Sequence, residues 1–372
     1  MSTKPRWRLL DLYSNSYPEA TAGLAPAIQK ARAEGIVPNT VALVTFRRPG
    51  VLMGYFQSPE KDVNLKYAQS HGIDVIRTRV QGLIFGHAGY LGVWSYADRS
   101  FFPDSIPEVF RFVNEMVARK LESKFAIKAR HRPLNDLETL IGESWKKIGP
   151  HGAYFQEGLC IDRFCLTVTP VPIELAENIL IYPDEKFSDK AAKSVRERIG
   201  SLSEAVGSTV SMDEIREVMI EAFSEGLGVE LVRGYLTEKE MDYERTIFEE
   251  HCKPEWFFAR AEERTFKKIA PRGDIAEGVK KVPEGPLIRA SICVEDGILK
   301  GLIYSGTFFP LQNKVNAPQV ISLLEESMVG VEAKPDKIRK ALLENWEKIN
   351  FEVVNGKPED FAEAVLLALA RL

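Results

Sequence analysis

Residues 77–92, RTRVQGLIFGHAGYLG, carry two arginines, one histidine and four glycines directly after the apolar run 73–76. A buried strand followed by glycines and cations is the pattern of an anion cradle, in which backbone N–H groups and basic side chains converge on a phosphate or carboxylate. Arg77, Arg79, Gly82 and His87 are its candidate binding residues. The glycines are scattered, however, and Leu83, Ile84 and Phe85 fill the middle. The residues alone leave open whether this is a working cradle or the remains of one.

A second constellation lies in RHRPLNDLETLIGESWKKIG, where strand spacing can bring Asn135, Asp136 and Lys147 together across a hairpin. A lysine held over a desolvated site can hold a phosphate and a carboxylate together. The plain alternative is a solvated hairpin lysine. Cys160 and Cys165 follow. A thiol near a lysine can carry an acyl thioester, and two small buried hydrophobes are the competing reading. The run 186–202, with Lys186, Lys190, Lys193, Arg196 and Arg198, reads as a solvated charged face. Histidines 71, 87, 131, 151 and 251 are isolated and form no HxxxH or HEXXH pattern, so no structural metal is expected. His87 is the histidine inside the glycine-bearing stretch; His71, just before a helix-ending glycine, is placed on the surface.

These residues need elements to hold them. Residues 6–12 and 40–46 read as strands, with a helix over 24–35 closed by Gly35. A short strand over 51–57, a helix over 63–72 closed by Gly72 and a strand over 73–77 follow. Residues 107–125 predict an amphipathic helix with Pro107 in its first turn. The stretch from 130 to 173 reads as two strands around a polar hairpin and an exposed loop. Helices are expected over 174–180 and over 211–226, the latter with Ser211 as N-cap. A charged helical stretch over 235–265, broken at Pro254, marks a boundary, and a β–β–α–α pattern then runs to the end.

The whole chain of 372 residues suggests two domains with a core that needs no staples. A net charge of −4 and a pI near 5.9 argue against nucleic-acid or membrane-surface binding as a dominant activity. Four cysteines without a CxxC pair, no apolar leader and no long apolar run point to a reduced cytoplasmic protein.

Taken in order, WRLLDL, the arginine pair Arg47–Arg48, VLMGYFQSPEKDVNLKYAQSHGIDVIR, NDL, KKIG and KSVRERIGSL resemble the lipoate–protein ligase A family over nearly the whole chain. The resemblance implies an α+β fold, with mixed sheets flanked by helices as in biotin and lipoate ligases. It implies a catalytic domain over 1–238, a linker over 239–264 and a small C-terminal α+β accessory domain over 265–372. It further implies activation of lipoate, or a related acid, with ATP and Mg2+ to an acyl-adenylate. The acyl group would pass to a lysine of a small carrier, a lipoyl domain or an H-protein-like domain. Such chemistry needs cations that join a carboxylate to a triphosphate, and a tunnel for the chain. By the same resemblance, Lys147 matches the family's essential lysine, and Asn135 and Asp136 match its nucleotide-binding pair, with Asp136 toward Mg2+.

The cradle departs from the family's Arg-Arg-x-Ser-Gly-Gly-Gly pattern. Thr78 stands for the second arginine, Val80 for the serine, Gln81 and Leu83 for two glycines, and Ala88 for an aspartate. Tyr55 replaces an arginine, and Gly306-Thr307-Phe308-Phe309 departs from Gly-Asp-Phe-Phe. Three readings follow: an acyl ligase, a catalytically altered paralogue acting as a binding or scaffold subunit, and a transferase that uses Cys160 or Cys165. An open pocket beside Lys147 would favour the first, and Phe85, Leu83 and Tyr55 filling it the second.

Overall fold

The computed structural model describes residues 4–79, 82–181, 195–283, 285–308, 310–311 and 317–372. The largest sheet has six strands: β1 (Arg6–Ser16), β2 (Thr40–Arg48), β6 (Tyr90–Asp98), β10 (His151–Gln156), β11 (Leu159–Thr167) and β12 (Glu230–Arg233). Their order is β10–β11–β6–β2–β1–β12. β1 runs parallel to both β2 and β12, and every other pairing is antiparallel.

The β2 residues Thr40–Phe46 are all buried because helices cover both faces. Side-chain alternation sorts the residues between them. Leu9, Val41, Leu43 and Val93 pack with Val109, Val113 and Val117 of the helix Ile106–Phe125 and with Ile215, Met219 and Phe223 of the helix Met212–Leu227. Leu10, Ala42, Val44 and Trp94 face the other way, against Tyr17, Leu24 and Ile28 from the helices Tyr17–Ala22 and Leu24–Ala33. Each fully buried aliphatic side chain contributes about 1.5–3 kcal/mol relative to exposure. Ser211 caps its helix as expected, its hydroxyl accepting from the Glu214 amide at 3.1 Å.

Two small sheets flank the large one. β3 (Gly50–Met53) lies between β4 (Asp74–Arg77) and β5 (Leu83–Gly86). β7 (Ala129–Arg132), β8 (Asp136–Ile141) and β9 (Ser144–Gly149) form an antiparallel meander. The expected strand over 51–57 ends at Met53, because the chain turns there and carries Phe56 away. The stretch expected to hold two strands holds five, β7 to β11.

The C-terminal part has three antiparallel strands, β13 (Asp274–Lys281), β14 (Leu287–Glu295) and β15 (Ile298–Gly306), and a short pair, β16 (Pro310–Leu311) and β17 (Glu352–Val353). Helices Ala317–Ser327, Pro335–Ile349 and Pro358–Leu369 accompany them. β13 and the last helix extend the expected β–β–α–α pattern. Pro254 starts a short helix, Pro254–Phe257.

Residues 56–62 tie this part to the rest. Phe56 is buried in the C-terminal core, its ring 4.7 Å from that of Phe308. Gln57 Nε2 donates to the Gly306 carbonyl at 2.6 Å, and the Gly306 amide donates to the Phe56 carbonyl at 2.9 Å. Arg289 of β14 pairs with Asp62 at 2.8 Å, both buried.

Candidate functional site

Lys147 and Asp136 meet on neighbouring strands. Lys147 Nζ stands 2.5 Å from Asp136 Oδ1, with side-chain exposures of 29% and 16%. The sequence brings them together through a hairpin whose tip holds Gly142 at φ 61°. A register shift between Leu137 and Glu138 re-aims the start of β8, so that Glu138 is the direct cross-strand partner of Lys147. Glu138 is occupied elsewhere: it accepts from Arg130 at 2.8 Å and from Arg132 at 2.8 Å. Lys147 is thus left to Asp136.

Asn135 does not touch the pair. Its Nδ2 donates to the His151 carbonyl at 2.5 Å, pinning the start of β8 to the start of β10. The His151 ring is held in turn. Its Nδ1 donates to Asn114 Oδ1 at 3.2 Å, and its Nε2 contacts the Asp162 carboxylate. Asn114 Nδ2 donates to His131 Nδ1 at 3.1 Å, and Ser95 reaches the other Asp162 oxygen at 3.4 Å. Burial lowers the pKa of His131, which suits its part as a neutral acceptor. This polar chain is rooted in the buried Asn114 of the helix Ile106–Phe125.

The sequence reading did not single out Asn114, His151 or Asp162 for a role. Glu157 and Gly158, at φ 52° and 78°, are the tight-turn signal that puts His151 and Asp162 on one face of the β10–β11 hairpin.

Beyond β9, Ile199 bridges to Lys147, and the Gly200 amide donates to the Lys147 carbonyl at 2.9 Å. The end of the basic run therefore lies alongside the lysine. Lys186, Lys190 and Lys193 fall outside the described residues, as do Val80, Gln81 and Phe309.

Among the described residues, the glycine-bearing stretch is a strand and turns and not a continuous cradle. Residues Leu83–Gly86 are a strand, paired with β3 so that Phe85 faces Val51. Phe85 is buried with Met53, Val63 and Ile179, and Leu83 packs at the edge of that cluster. Tyr55 packs against Phe56 and Trp256. Gly82 takes φ 99°, a turn conformation before the strand, and its carbonyl accepts from the Gly54 amide. His87 is buried. Its Nδ1 accepts from the Gly89 amide at 3.1 Å, and burial pushes its pKa down to about 4.

Arg77 corrects the expectation of a substrate-binding arginine. It is fully buried and donates to four main-chain carbonyls, of Gly54, Tyr55, Gln57 and Phe257. Trp256 Nε1 donates back to the Arg77 carbonyl at 2.8 Å. With its donors spent on backbone, Arg77 staples β4 to residues 254–258. Arg79 remains exposed, its guanidinium 5.7 Å from the Trp256 ring centre. Among the described residues no hydrogen bond or ion pair joins Arg77 or His87 to Lys147 or Asp136.

The two candidate cysteines lie in the core of the large sheet. Cys160 and Cys165 are buried, and burial raises both thiols, that of Cys165 to about 11. A nucleophilic thiol needs a stabilised thiolate and access, and burial works against both here. Asp136 is a single carboxylate. Mg2+ typically takes one or two protein carboxylates and completes its shell with phosphate and water, so Asp136 fits an ion that arrives with a nucleotide. Among the described residues no cluster of three or more His, Cys, Asp or Glu side chains could hold a metal by itself. No helix there is long and apolar enough to cross a membrane.

Residues 19–224 match the lipoyl protein ligase A/B catalytic domain family. Lipoate-protein ligase A subunit 1 of Thermoplasma acidophilum is 33% identical over 214 residues, 55% of this chain and 79% of that protein. Octanoyltransferase LipM of Geobacillus kaustophilus is 23% identical over 279 residues, 69% of this chain and 99% of that protein. Among solved structures, the bipartite lipoate protein ligase of Thermoplasma acidophilum, described with its E2 lipoyl domain, superposes with a TM-score of 0.58. It is 27% identical and covers 69% of this chain and 96% of its own.

Proposed function

We propose, from the premise that this chain belongs to the lipoyl protein ligase A/B family, that it activates a medium-chain carboxylic acid with ATP and Mg2+ and passes the acyl group to a lysine of a small carrier domain. Lipoate and octanoate are the acids of first choice, after the relatives' names. The E2 lipoyl domain described with the bipartite ligase suggests the kind of carrier.

The observation that carries this reading is the Lys147–Asp136 pair at 2.5 Å, on a small sheet whose other charged cluster, Arg130 and Arg132 on Glu138, leaves the pair to itself. In the first step, a carboxylate oxygen of the acid attacks the α-phosphorus and pyrophosphate leaves. The ammonium of Lys147 can bridge the two approaching anions, as the donor of charge-assisted hydrogen bonds. Asp136 positions that ammonium, and its carboxylate would hold the Mg2+ that accompanies the triphosphate. Asn135 and the His151–Asp162 pair fix the strand ends below. In the second step, the carrier lysine attacks the acyl carbonyl, an amide forms and AMP leaves. Phosphoryl and acyl transfer of this kind require positioning and charge and no protein nucleophile.

A second reading, a binding subunit that no longer adenylates, draws on one observation: the cradle's arginine is spent on backbone carbonyls and its middle is a packed strand. Mass analysis of an apo-lipoyl domain incubated with this protein, ATP, Mg2+ and either acid separates the two. An acyl amide on the carrier lysine supports the ligase. Tight carrier binding with no acylation under either acid supports the subunit.

A further inference from the structure

Among the described residues, two segments fasten residues 265–372 to the rest: the loop 54–62 after β3 and the connection 254–264. The loop enters through Phe56, buried in the C-terminal core. Near its far end the buried Asp62 holds both sides. Its Oδ1 accepts from Arg289 Nη1 of β14 at 2.8 Å, and its Oδ2 accepts from the Ser58 amide at 2.8 Å. Ser58 Oγ donates to Glu262 Oε2 at 3.2 Å, and Lys61 reaches Glu277 of β13.

The connection is anchored twice in quick succession. The Phe257 carbonyl accepts from Arg77 Nε at 2.9 Å, which fixes it to β4. Arg260 then makes a two-pronged, buried pair with Glu325 of the helix Ala317–Ser327, at 2.8 and 2.6 Å, and donates to the Tyr304 carbonyl of β15. Glu325 also accepts from the Tyr304 amide at 2.6 Å. Loop and connection meet at Tyr55, whose ring centre lies 5.9 Å from that of Trp256 and 5.3 Å from the Arg260 guanidinium.

Domains turn on a few residues that absorb changes in φ and ψ. Phe258 and Ala259 lie between the anchors at Phe257 and Arg260, and their amides are bonded to the Pro254 and Trp256 carbonyls at 2.9 and 3.2 Å. Turning the two parts would therefore split buried ion pairs and return the Phe56 ring to water, both of which oppose it.

We propose that this joint is fixed: the two parts keep one arrangement through acid activation and acyl transfer. The carrier lysine then meets an unmoving site, by the solvent-open side of the Lys147–Asp136 pair. The inference rests on the acyl reading for the ligands that would move the joint, and on the joint's own bonds for its rigidity.

Native-state hydrogen exchange tests the joint without any ligand. The Gly306 amide, bonded across the joint to the Phe56 carbonyl, should exchange within about tenfold of the Ala290 amide in the central strand β14, after correction for intrinsic rates. Faster exchange than that means a joint that opens on its own, and overturns the proposal. Spin labels at Arg119→Cys and Lys340→Cys, both exposed, in a Cys252→Ser background report the distance between the parts. Pulsed EPR of the full chain should give one distance peak, unmoved by octanoate with ATP and Mg2+ or by an added apo-lipoyl domain. A second or displaced peak overturns the proposal. In the same background, bridging Lys61→Cys to Glu277→Cys with a short reducible bis-methanethiosulfonate should leave acyl transfer within about twofold. Loss of transfer that returns on reduction overturns it as well. Slow Gly306 exchange in a protein without acyl transfer keeps the joint and removes the ligase. Acyl transfer with a moving EPR peak does the reverse.

Discussion

Lys147 and Asp136 are the closest pair of opposite charges on the β8–β9 hairpin, 2.5 Å apart, while the cross-strand neighbour of Lys147, Glu138, is held by two arginines. The pair is partly open to solvent, so its worth in stability is small, below about 1 kcal/mol. Asp136→Asn should therefore leave the urea midpoint nearly unchanged and lower acyl transfer by one to two orders of magnitude. A variant that unfolds readily but transfers normally would make the pair structural.

Arg77 gives the opposite pattern. Its guanidinium satisfies four carbonyls in a buried joint, and removing it orphans them together. Arg77→Met should cost about 3 kcal/mol or more and open residues 254–258 to protease. An unchanged unfolding curve with lost acid affinity would restore Arg77 to the binding residues.

His87 predicts a pH window. Its folded pKa, about 4, lies below the unfolded value of 6.5. Above pH 6.5 both states are neutral at this site and its full contribution is present. As pH falls toward 4 the unfolded chain takes up a proton that the folded chain refuses. Stability should drop by up to about 1.4 kcal/mol per pH unit across that window. His87→Gln, which keeps an acceptor for the Gly89 amide, should flatten the slope in denaturant titrations. An identical slope in the variant would assign the effect to other groups.

Gly200 lies so close to the hairpin that an added Cβ would stand 2.4 Å from Ile141 Cδ1 and 3.0 Å from Lys146 Cβ. Gly200→Ala should cost about 1–3 kcal/mol and shift β9 at Lys147, so acyl transfer should fall while carrier affinity holds. Crystallographic superposition of the variant would show the displaced strand, and an unmoved strand with full activity would contradict the assignment.

Much of this was legible in the sequence where one physical signal dominated. The apolar runs of β1 and β2, buried almost without a break, and the Ser211 cap follow from local apolar patterning and local hydrogen bonding. Lys147 and Asp136 share a hairpin, so local spacing sufficed to predict their meeting. Arg77 was misread because a strand-ending arginine looks the same whether its donors meet a ligand or distant carbonyls, and Phe257 is far away in the chain. Phe56 reads as the end of a strand, yet it plugs the C-terminal core, a long-range fact that no local pattern carries. β13, DIAEGVKK, was missed because its mixed polarity belongs to an edge strand with partial burial.

The central claim is that Lys147 brings carboxylate and nucleotide together. Acid-dependent ATP–pyrophosphate exchange in the natural protein and in a folded Lys147→Ala variant tests it most directly. The account predicts exchange with lipoate or octanoate, and a loss of at least a hundredfold in the variant. Undiminished exchange without the lysine, or no exchange by the folded natural protein with either acid, would contradict it.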